Sequence, residues 1–242
     1  MHLLALDTST EACSAALGVC LPGEPERVLT RAAEAPRGHA ELILPMVESL
    51  LAEAGLSLSS LGAIAFARGP GSFTGLRLAA AVTQGLAFGA GLPVLAVSTL
   101  RASALQALQR APSATHVLVC NDARMGEVYV AAFARGAGGL PEPLGHEAVC
   151  PPSSVVLPAV SGVWVGAGHG FRAYPQLAEL QQVGLGQGEA RPGLAEIFAD
   201  VLPQAREVLP LARAEWAAGR LLKPAEAQPV YLRDDVAKVP QG

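Results

Sequence analysis

Positive charge is scarce in this sequence, and lysine is almost absent. Charged residues make up 16% of the 242 residues, the formal net charge is −4 and the pI is about 5.7. A protein that binds nucleic acid by itself usually carries a basic face, often with a domain pI above ~9. We therefore expect any contact with RNA to be local or shared with a partner protein.

Cysteine and histidine are too few and too scattered to predict a disulfide framework or a metal site. The four cysteines form no CxxC pair, and the five histidines show no HxxxH or HExxH spacing. We expect four reduced cysteines in or near the core, and no bound metal. The GxSxG pattern of a hydrolase nucleophile is also missing.

Neither an export signal nor a membrane span is expected. Asp7 and Glu11 interrupt the region where a signal peptide would be apolar. The 23 residues between Arg77 and Arg101 carry no charge, and a segment of this length could cross a bilayer. Glycines and Pro93 divide this run into a helix, a turn and a buried strand. We therefore predict a cytoplasmic protein without a membrane contact.

The first hundred residues alternate between apolar runs and helical patterns, which is typical of an α/β fold. Period-two or continuous apolar runs mark the strands, and apolar residues at helical spacing mark the helices. The predicted elements are a hairpin of two strands (2–6 and 12–19), a helix (39–54), a strand (61–67), a helix (72–88) and a strand (93–97).

The second half of the chain begins in the same way as the first. Residues 118–122 match residues 3–7 at an offset of 115, and residues 127–132 match residues 12–17 at the same offset. An apolar strand, an aspartate, a turn and a returning strand thus occur twice, which predicts two duplicated lobes. The predicted units are 1–100, a more degenerate 101–204, and a C-terminal helix and tail (205–242) that packs back on the lobes.

A glycine-rich loop joins the strand at 61–67 to the following helix. Glycine lets a backbone approach an anion closely, and the free N–H groups of a helix start attract negative charge. With hydroxyls after the first strand and an aspartate ending the equivalent strand of each lobe, the loop outlines a nucleotide or phosphate cleft. The candidate residues are Asp7, Thr8, Ser9, Gly69, Gly71, Ser72, Thr74, Gly75 and Asp122. No P-loop pattern and no nearby lysine are present, so tight strand-to-helix packing is the favoured alternative for this loop.

Both predicted helices of the first lobe are more apolar than a half-exposed helix requires. Either they are deeply buried, or one of their faces meets another chain. The candidate interface residues are Leu42, Ile43, Met46, Val47, Leu50, Arg77, Leu78 and Ala81.

The motifs resemble those of the TsaB (YeaZ) family, whose members assist N6-threonylcarbamoyladenosine formation in bacterial tRNA. The matching segments are LALDTSTEACSAAL, HAELILPMV, RGPGSFTGLR, PVLAVSTL, DARMGEVYVAAF and PVYLRDDVA, in order along nearly the whole chain. Only the segment 136–203 matches weakly. The resemblance implies two duplicated α/β lobes of the actin-like, Hsp70-like (ASKHA) kind, which agrees with the internal repeat.

The resemblance also implies a partner subunit without catalytic residues. In the catalytic relative TsaD a HxxxH pair holds metal, and the corresponding positions here are Thr99 and Ser103, whose hydroxyls forfeit most affinity for a transition metal. It implies a heterodimer with TsaD through the two helices, an ATPase partner, TsaE, and tRNA contact through the complex. It further implies a homodimer through the same surface when TsaD is absent, and no cofactor beyond weak nucleotide binding.

Two rival interpretations follow from the same residues. A phosphotransferase of the sugar- or acetate-kinase kind would bind Mg-nucleotide near Asp7 and Gly71. A metallo- or glycoprotease-like activity is disfavoured, because the sequence elements that a protease needs are missing.

Overall fold

The computed structural model describes residues 1–34, 38–181, 184–186, 189–191 and 193–233. The strands are β1 (His2–Asp7), β2 (Ala12–Val19), β3 (Arg27–Glu34), β4 (Leu61–Gly69), β5 (Val94–Ser98), β6 (His116–Arg124), β7 (Glu127–Arg135), β8 (Pro141–Pro143), β9 (Ala148–Cys150), β10 (Trp164–Ala167), β11 (Gly184–Gly186), β12 (Glu189–Arg191) and β13 (Leu194–Phe198). The α-helices are α1 (His39–Ala54), α2 (Phe73–Ala90), α3 (Thr99–Arg110), α4 (Gly170–Ala173) and α5 (Ala205–Ala217).

The first lobe is a five-stranded mixed sheet in the order β3-β2-β1-β4-β5. β1, β2 and β3 are antiparallel neighbours, whereas β4 and β5 run parallel to β1. β1 is continuously apolar from Leu3 to Leu6 because both faces of the sheet are covered. Leu4 and Leu6 belong to the core under α1 and α2, and Leu3 and Ala5 belong to the core under α5.

The second lobe repeats this sheet. Its strands lie in the order β8-β7-β6-β10-β13, and again a three-stranded antiparallel part is followed by two parallel strands. Each strand of the first lobe therefore has a counterpart with the same position and direction. This confirms the predicted α/β fold with two duplicated lobes of the actin-like kind.

The helix that follows the last strand of each lobe packs on the other lobe. Leu100 and Leu108 of α3 share a core with Val117 and Val119 of the second lobe. In the same way, α5 packs against β1, β2, β4 and β5 of the first lobe, and it also contacts α3. The pair α3–α5 thus lies between the two sheets and joins the lobes.

Two elements of the first half were not predicted. β3 is an edge strand with only half-buried inward residues, so its alternation of apolar and polar residues is weak. α3 begins at a recognisable cap, because the Ser98 hydroxyl accepts a hydrogen bond from Arg101 N at 3.1 Å. The uncharged stretch before Arg101 divides into α2, a turn and β5, as predicted, and no described helix is both long and apolar enough to cross a membrane.

All four cysteines are free thiols. Cys13 and Cys120 are buried, and Cys20 and Cys150 are half-buried. The prediction of reduced core or near-core cysteines is therefore confirmed.

Candidate functional site

The turn after β1 and the glycine loop after β4 lie directly against each other. Thr8 Oγ1 donates a hydrogen bond to Gly75 O at 2.7 Å. Ser72 N donates to Ser9 O, also at 2.7 Å. The structure therefore brings these predicted cleft residues together, and it joins them by direct contacts between the two segments.

Two glycines of the loop are required because no side chain fits at their positions. A Cβ at Gly75 would lie 1.9 Å from Thr8 O, and a Cβ at Gly71 would lie 2.6 Å from Ser9 O. The space beside these glycines is thus filled by the protein's own backbone. The Ser72 hydroxyl also accepts from Gly75 N at 3.5 Å and so caps α2. This geometry supports close strand-to-helix packing as the role of both glycines.

The remaining loop residues lie at the edges of this contact. Thr74 is exposed in the first turn of α2. Gly69 adopts a left-handed backbone with φ of 110° and lies under Val230, whose carbonyl oxygen would be 2.8 Å from a Cβ at Gly69. A larger residue would be strained here by both its backbone and its neighbour.

Asp7 is a fully buried carboxyl at the end of β1. Its Oδ1 accepts hydrogen bonds from Ser9 N at 2.7 Å and Ser9 Oγ at 2.6 Å. Its Oδ2 has no hydrogen-bond partner among the described residues. Burial raises the pKa of Asp7 to about 7, although the two bonds from Ser9 act to lower it, and the nearby carboxyl of Glu207 adds to the rise. The side chain is therefore partly protonated at neutral pH.

The counterpart of Asp7 in the second lobe is Asn121, and the prediction that it is Asp122 was wrong by one residue. Asp7 lies opposite Ser14 in the first hairpin, whereas Asn121 lies opposite Tyr129 in the second. Side chains alternate between the faces of a strand, so Asn121 shares the α3-covered face with Val117 and Val119, as Asp7 shares its face with Leu3 and Ala5. The offset is thus 114 for the first strand and 115 for the second.

Asp122 points to the other face of its sheet and is held there. Its Oδ1 accepts from Arg124 N at 2.8 Å and from Tyr174 OH at 2.9 Å, and its Oδ2 accepts from Arg124 at 3.0 Å. These bonds within the second lobe account for Asp122 as a turn former.

The ends of the two hairpins are close enough for their charges to interact. Burial lowers the pKa of His169, which follows β10, while the carboxylates of Glu11 and Asp122 oppose that shift. The His169 Nδ1 atom is buried without a hydrogen-bond partner in the described part of the chain. Across those residues, no group of three or more His, Cys, Asp or Glu side chains could hold a metal ion.

Thr99 and Ser103 lie one turn apart on α3 and are both fully buried. The Thr99 hydroxyl donates to the Pro70 carbonyl of the glycine loop. Ser103 Oγ has no partner within the described residues. Both hydroxyls therefore lie inside the protein, and that of Thr99 links α3 to the loop.

The predicted interface residues divide into a buried set and an exposed set. Ile43, Val47 and Leu50 are core residues under the first sheet, with Val47 only 3% exposed, so their assignment to an interface was wrong. The apolar excess of α1 is explained in part by this burial. Leu42, Met46 and Leu78 are half-buried, and Arg77 and Ala81 are exposed.

The exposed face of α2 combines small residues with aromatic ones. We define the partner face as the exposed residues Phe73, Arg77, Ala81, Gly85, Phe88 and Gly89 of α2 together with Leu44 of α1. Phe88 is 82% exposed and Leu44 is 43% exposed. The sequence could have identified Phe88 and Gly85, because they follow Ala81 at helical spacing on the same side.

One end of the partner face is held by a cluster of three side chains. The Arg77 guanidinium lies 3.6 Å from the centre of the Phe73 ring. Arg77 Nε donates to the Tyr231 hydroxyl at 3.0 Å, and the two aromatic rings are 5.5 Å apart. The cluster attaches the C-terminal segment to the start of α2.

A family model described as TsaD, tRNA N6-adenosine threonylcarbamoyltransferase, matches residues 31–181, which run from β3 into the second lobe. Two curated relatives match over nearly their whole length. The tRNA threonylcarbamoyladenosine biosynthesis protein TsaB of Escherichia coli is 41% identical over 98% of this chain and 96% of its own. The protein of the same name from Haemophilus influenzae is 38% identical over 98% of this chain and 95% of its own.

Solved structures give the same result. YeaZ from Pseudomonas aeruginosa is 44% identical and superposes with a TM-score of 0.81, covering 96% of this chain and 99% of that one. Both lobes and their connecting helices fall within this match.

Proposed function

Since the chain belongs to the TsaB (YeaZ) family of tRNA threonylcarbamoyladenosine biosynthesis proteins, we propose that it acts there as a non-catalytic partner subunit. It is required for N6-threonylcarbamoyladenosine formation in tRNAs that read codons beginning with A. Its proposed partners are the catalytic subunit TsaD and the ATPase TsaE. The observation that carries this proposal is the exposed apolar partner face on α1 and α2.

The partner face has the composition of a helix-packing surface. Gly85 and Gly89 have no neighbouring atom within 4 Å of an added Cβ, so the backbone of α2 is open to close approach. Phe88 and Leu44 supply apolar area that the isolated chain leaves in water. A second helical protein can therefore bury these side chains and pack closely on the small residues. Without TsaD, a second copy of this chain is proposed to occupy the same face.

The interior of the cleft supports a structural role over a catalytic one. The glycine loop is closed on the Thr8–Ser9 turn, and Thr99 binds the loop from the other side. A nucleotide phosphate at this position would have to displace the protein's own backbone. The acidic net charge of −4 further supports tRNA contact through the complex rather than by this chain alone.

An omission assay tests the role in modification. TsaD, TsaE, threonylcarbamoyl-adenylate, ATP and unmodified tRNA are combined with or without this protein, and modified adenosine is measured by mass spectrometry. We expect product to require this chain and to be retained with Asp7→Asn, which removes the charge but keeps an acceptor for Ser9. Loss of product with Asp7→Asn would favour the phosphotransferase interpretation, and full product without the chain would exclude the proposed role.

A charge on the partner face tests the interface. We expect Ala81→Glu to abolish co-elution with TsaD and self-association in size-exclusion chromatography, because the carboxylate would be buried without a partner. The matched control is Val156→Glu, which places the same charge at a side chain that is 69% exposed in the second lobe. Val47 is unsuitable for this test, since a charge at that buried position would unfold the first lobe. Normal TsaD binding by Ala81→Glu would contradict the assignment of this face.

A further inference from the structure

A cavity of about 430 Å³ lies between the two lobes, next to the start of the glycine loop. The first lobe contributes the end of β5 and Arg68, and the second lobe contributes β7 and the loop before β9. None of the predicted cleft residues Asp7, Gly71 or Asp122 lines it. Its lining is therefore distinct from the predicted cleft residues, with Arg68 directly preceding Gly69.

The C-terminal segment Val230–Arg233, which we call the strap, crosses from one lobe to the other over this cavity. Val230 N donates to Arg68 O at 2.8 Å in the first lobe. Arg233 donates to Ala123 O at 3.3 Å and pairs with Glu127 in the second lobe. Val230 and Leu232 of the strap line the cavity. The cavity is thus lined by three parts of the chain, the first lobe, the second lobe and the strap.

One side of the cavity is apolar. Its lining there comes from Val97 of β5, Ala131 and Phe133 of β7, and Val230 and Leu232 of the strap. An apolar surface of this kind, next to a few polar groups, is typical of small-molecule sites, and the volume falls in their usual range.

The carboxylates on the opposite side are each paired with arginine side chains of the protein. Glu215 Oε1 accepts hydrogen bonds from Arg101 Nη1 at 2.8 Å and from Arg220 Nη2 at 3.0 Å. Glu215 Oε2 accepts a hydrogen bond from Arg220 Nε. Burial acts to raise the pKa of Glu215, but Arg220 and Arg101 outweigh it and hold the pKa below its usual range. Glu147 accepts from the Ser98 hydroxyl with one oxygen and from Arg68 at 3.3 Å with the other.

The guanidinium groups beside them are not saturated. Arg68 makes a single side-chain hydrogen bond, to Glu147, within the described part of the chain. Arg101 donates its Nε–H to Pro141 O at 2.8 Å and one Nη1–H to Glu215. Guanidinium offers further N–H donors on both residues, and it has no acceptor atom. The unused hydrogen-bond donors that Arg68 and Arg101 bring to this wall are therefore N–H groups of cationic guanidiniums.

We propose that this cavity binds a small organic anion, with a carboxylate or phosphate group on Arg68 and Arg101 and an apolar body against Phe133 and Val97. Guanidinium groups bind both head groups through paired, charge-assisted hydrogen bonds. The strap closes over the apolar body, so occupancy stabilises the joined arrangement of the two lobes. This proposal is independent of the role in tRNA modification.

The test uses the full-length protein and three probes of similar shape: benzoate, phenyl phosphate and neutral benzamide. Binding is followed by saturation-transfer NMR and titration. We expect at least one anion to bind about tenfold or more tightly than benzamide, and Arg68→Gln or Arg101→Gln to weaken it by about tenfold or more. Binding of benzoate alone or phenyl phosphate alone supports the proposal and identifies the head group.

Two controls separate the site from general charge and from misfolding. Arg110→Gln removes an exposed guanidinium that pairs with Asp200 at 2.7 Å, and it should leave affinity unchanged. Ala131→Leu fills the cavity while both arginines stay, and it should abolish binding with circular dichroism unchanged. Equal affinity for benzamide, equal loss in Arg110→Gln, unchanged affinity in Arg68→Gln and Arg101→Gln, or no saturable binding of either anion would overturn the proposal.

Discussion

The two lobes share one sheet topology but differ in what covers it. In the first lobe, the face opposite α5 is covered by α1 and α2, helices of 16 and 18 residues. In the second lobe, the corresponding face is covered by 3-10 turns and by α4, a helix of four residues. Trp164, Phe171 and Leu177 fill the core there. The order of the strands is thus retained while the outer layer varies.

Because of this difference, the two lobes have different outer surfaces. A long helix can offer a continuous face to another protein, and α2 has an exposed face of small and aromatic residues. The turns of the second lobe bury Phe171 and Leu177 and offer no comparable helical face among the residues described. The contrast explains why we place the partner contact on the first lobe. The following four predictions test how far the lobes are equivalent.

The largest expected effect concerns the glycine turn that follows the first parallel strand of each lobe. In the first lobe a Cβ at Gly75 would lie 1.9 Å from Thr8 O, and in the second a Cβ at Gly170 would lie 2.6 Å from Cys120 O. Relieving the first clash moves a backbone and breaks the bonds of Thr8 and Ser9 to the loop. We expect Gly75→Ala to lower the free energy of unfolding by about 4 kcal/mol.

Gly170→Ala should cost somewhat less, because its Cβ would be less close to the backbone. Urea denaturation of both variants measures the effect. If either variant unfolds at the same urea concentration as the unmodified protein, the close strand-to-loop approach is not a shared requirement of the lobes.

The second prediction exchanges the residues at the ends of β1 and β6. The pKa of Asp7 is about 7 in the folded protein and 3.8 for an unperturbed carboxyl. Below pH 3.8 the carboxyl is protonated in both the folded and the unfolded protein, and its full contribution to stability is present. That contribution is lost as the pH rises from 3.8 through about 7, because the unfolded protein then releases the proton more readily. The difference of about 3 units corresponds to about 4 kcal/mol as an upper bound, of which we expect about half after relaxation.

Asp7→Asn should therefore raise stability at pH 8 by about 2 kcal/mol and remove this dependence between pH 4 and 7. Asn121→Asp should introduce a similar dependence in the second lobe, since that site is also buried. Denaturation curves across the pH range measure both. A flat profile for the unmodified protein would refute the assignment of a raised pKa to Asp7.

Much of the fold could be predicted from the sequence, because strands covered on both faces are continuously apolar and recognisable. The strands near residues 2–6, 12–19 and 61–67 were identified for that reason, and so was the repeat. β3 was missed because an exposed edge strand has little apolar pattern. α3 was missed because its packing against the other lobe is a tertiary fact that local residue patterns do not contain.

The candidate site was less predictable, because side-chain burial and strand register determine which residues belong to it. Asp122 was chosen over Asn121 since the sequence offset gives no information on which face a side chain points to. Val47 was assigned to an interface since an apolar helix residue looks the same whether it meets the chain's own sheet or another protein. Phe88 and Gly85 could have been found by following one helical stripe from Ala81.

The third prediction concerns the open glycines of α2, for which the short α4 offers no equivalent. A Cβ at Gly85 meets no atom within 4 Å, so Gly85→Ala should raise stability by about 1 kcal/mol through helix propensity. The same methyl group should weaken binding to TsaD, because it holds the partner helix away. Gly91→Ala is the control, since φ of 66° at the end of α2 disfavours a side chain and should lower stability. Unchanged affinity in Gly85→Ala would remove Gly85 from the partner face.

The smallest expected effect compares one tyrosine hydroxyl from each lobe. Tyr231 accepts a hydrogen bond from Arg77 at 3.0 Å and is 44% exposed, whereas Tyr174 donates to the Asp122 carboxylate at 2.9 Å and is half-buried. A hydrogen bond to a charged acceptor contributes more to stability than one between exposed side chains. We therefore expect Tyr174→Phe to lower the free energy of unfolding by about 1 kcal/mol, and Tyr231→Phe by about 0.5 kcal/mol. Arg77 keeps its contact with Phe73 in the second variant, which limits the loss further.

Urea denaturation of both variants shows which substitution lowers the free energy of unfolding more. If Tyr231→Phe costs more than Tyr174→Phe, the strap contributes more to stability than its exposure suggests, and joining of the lobes would depend on it. The predicted order instead places the stabilising polar contact within the second lobe. The strap is then held mainly by its backbone bond from Val230 to Arg68 and by Arg233, rather than by the Tyr231 hydroxyl.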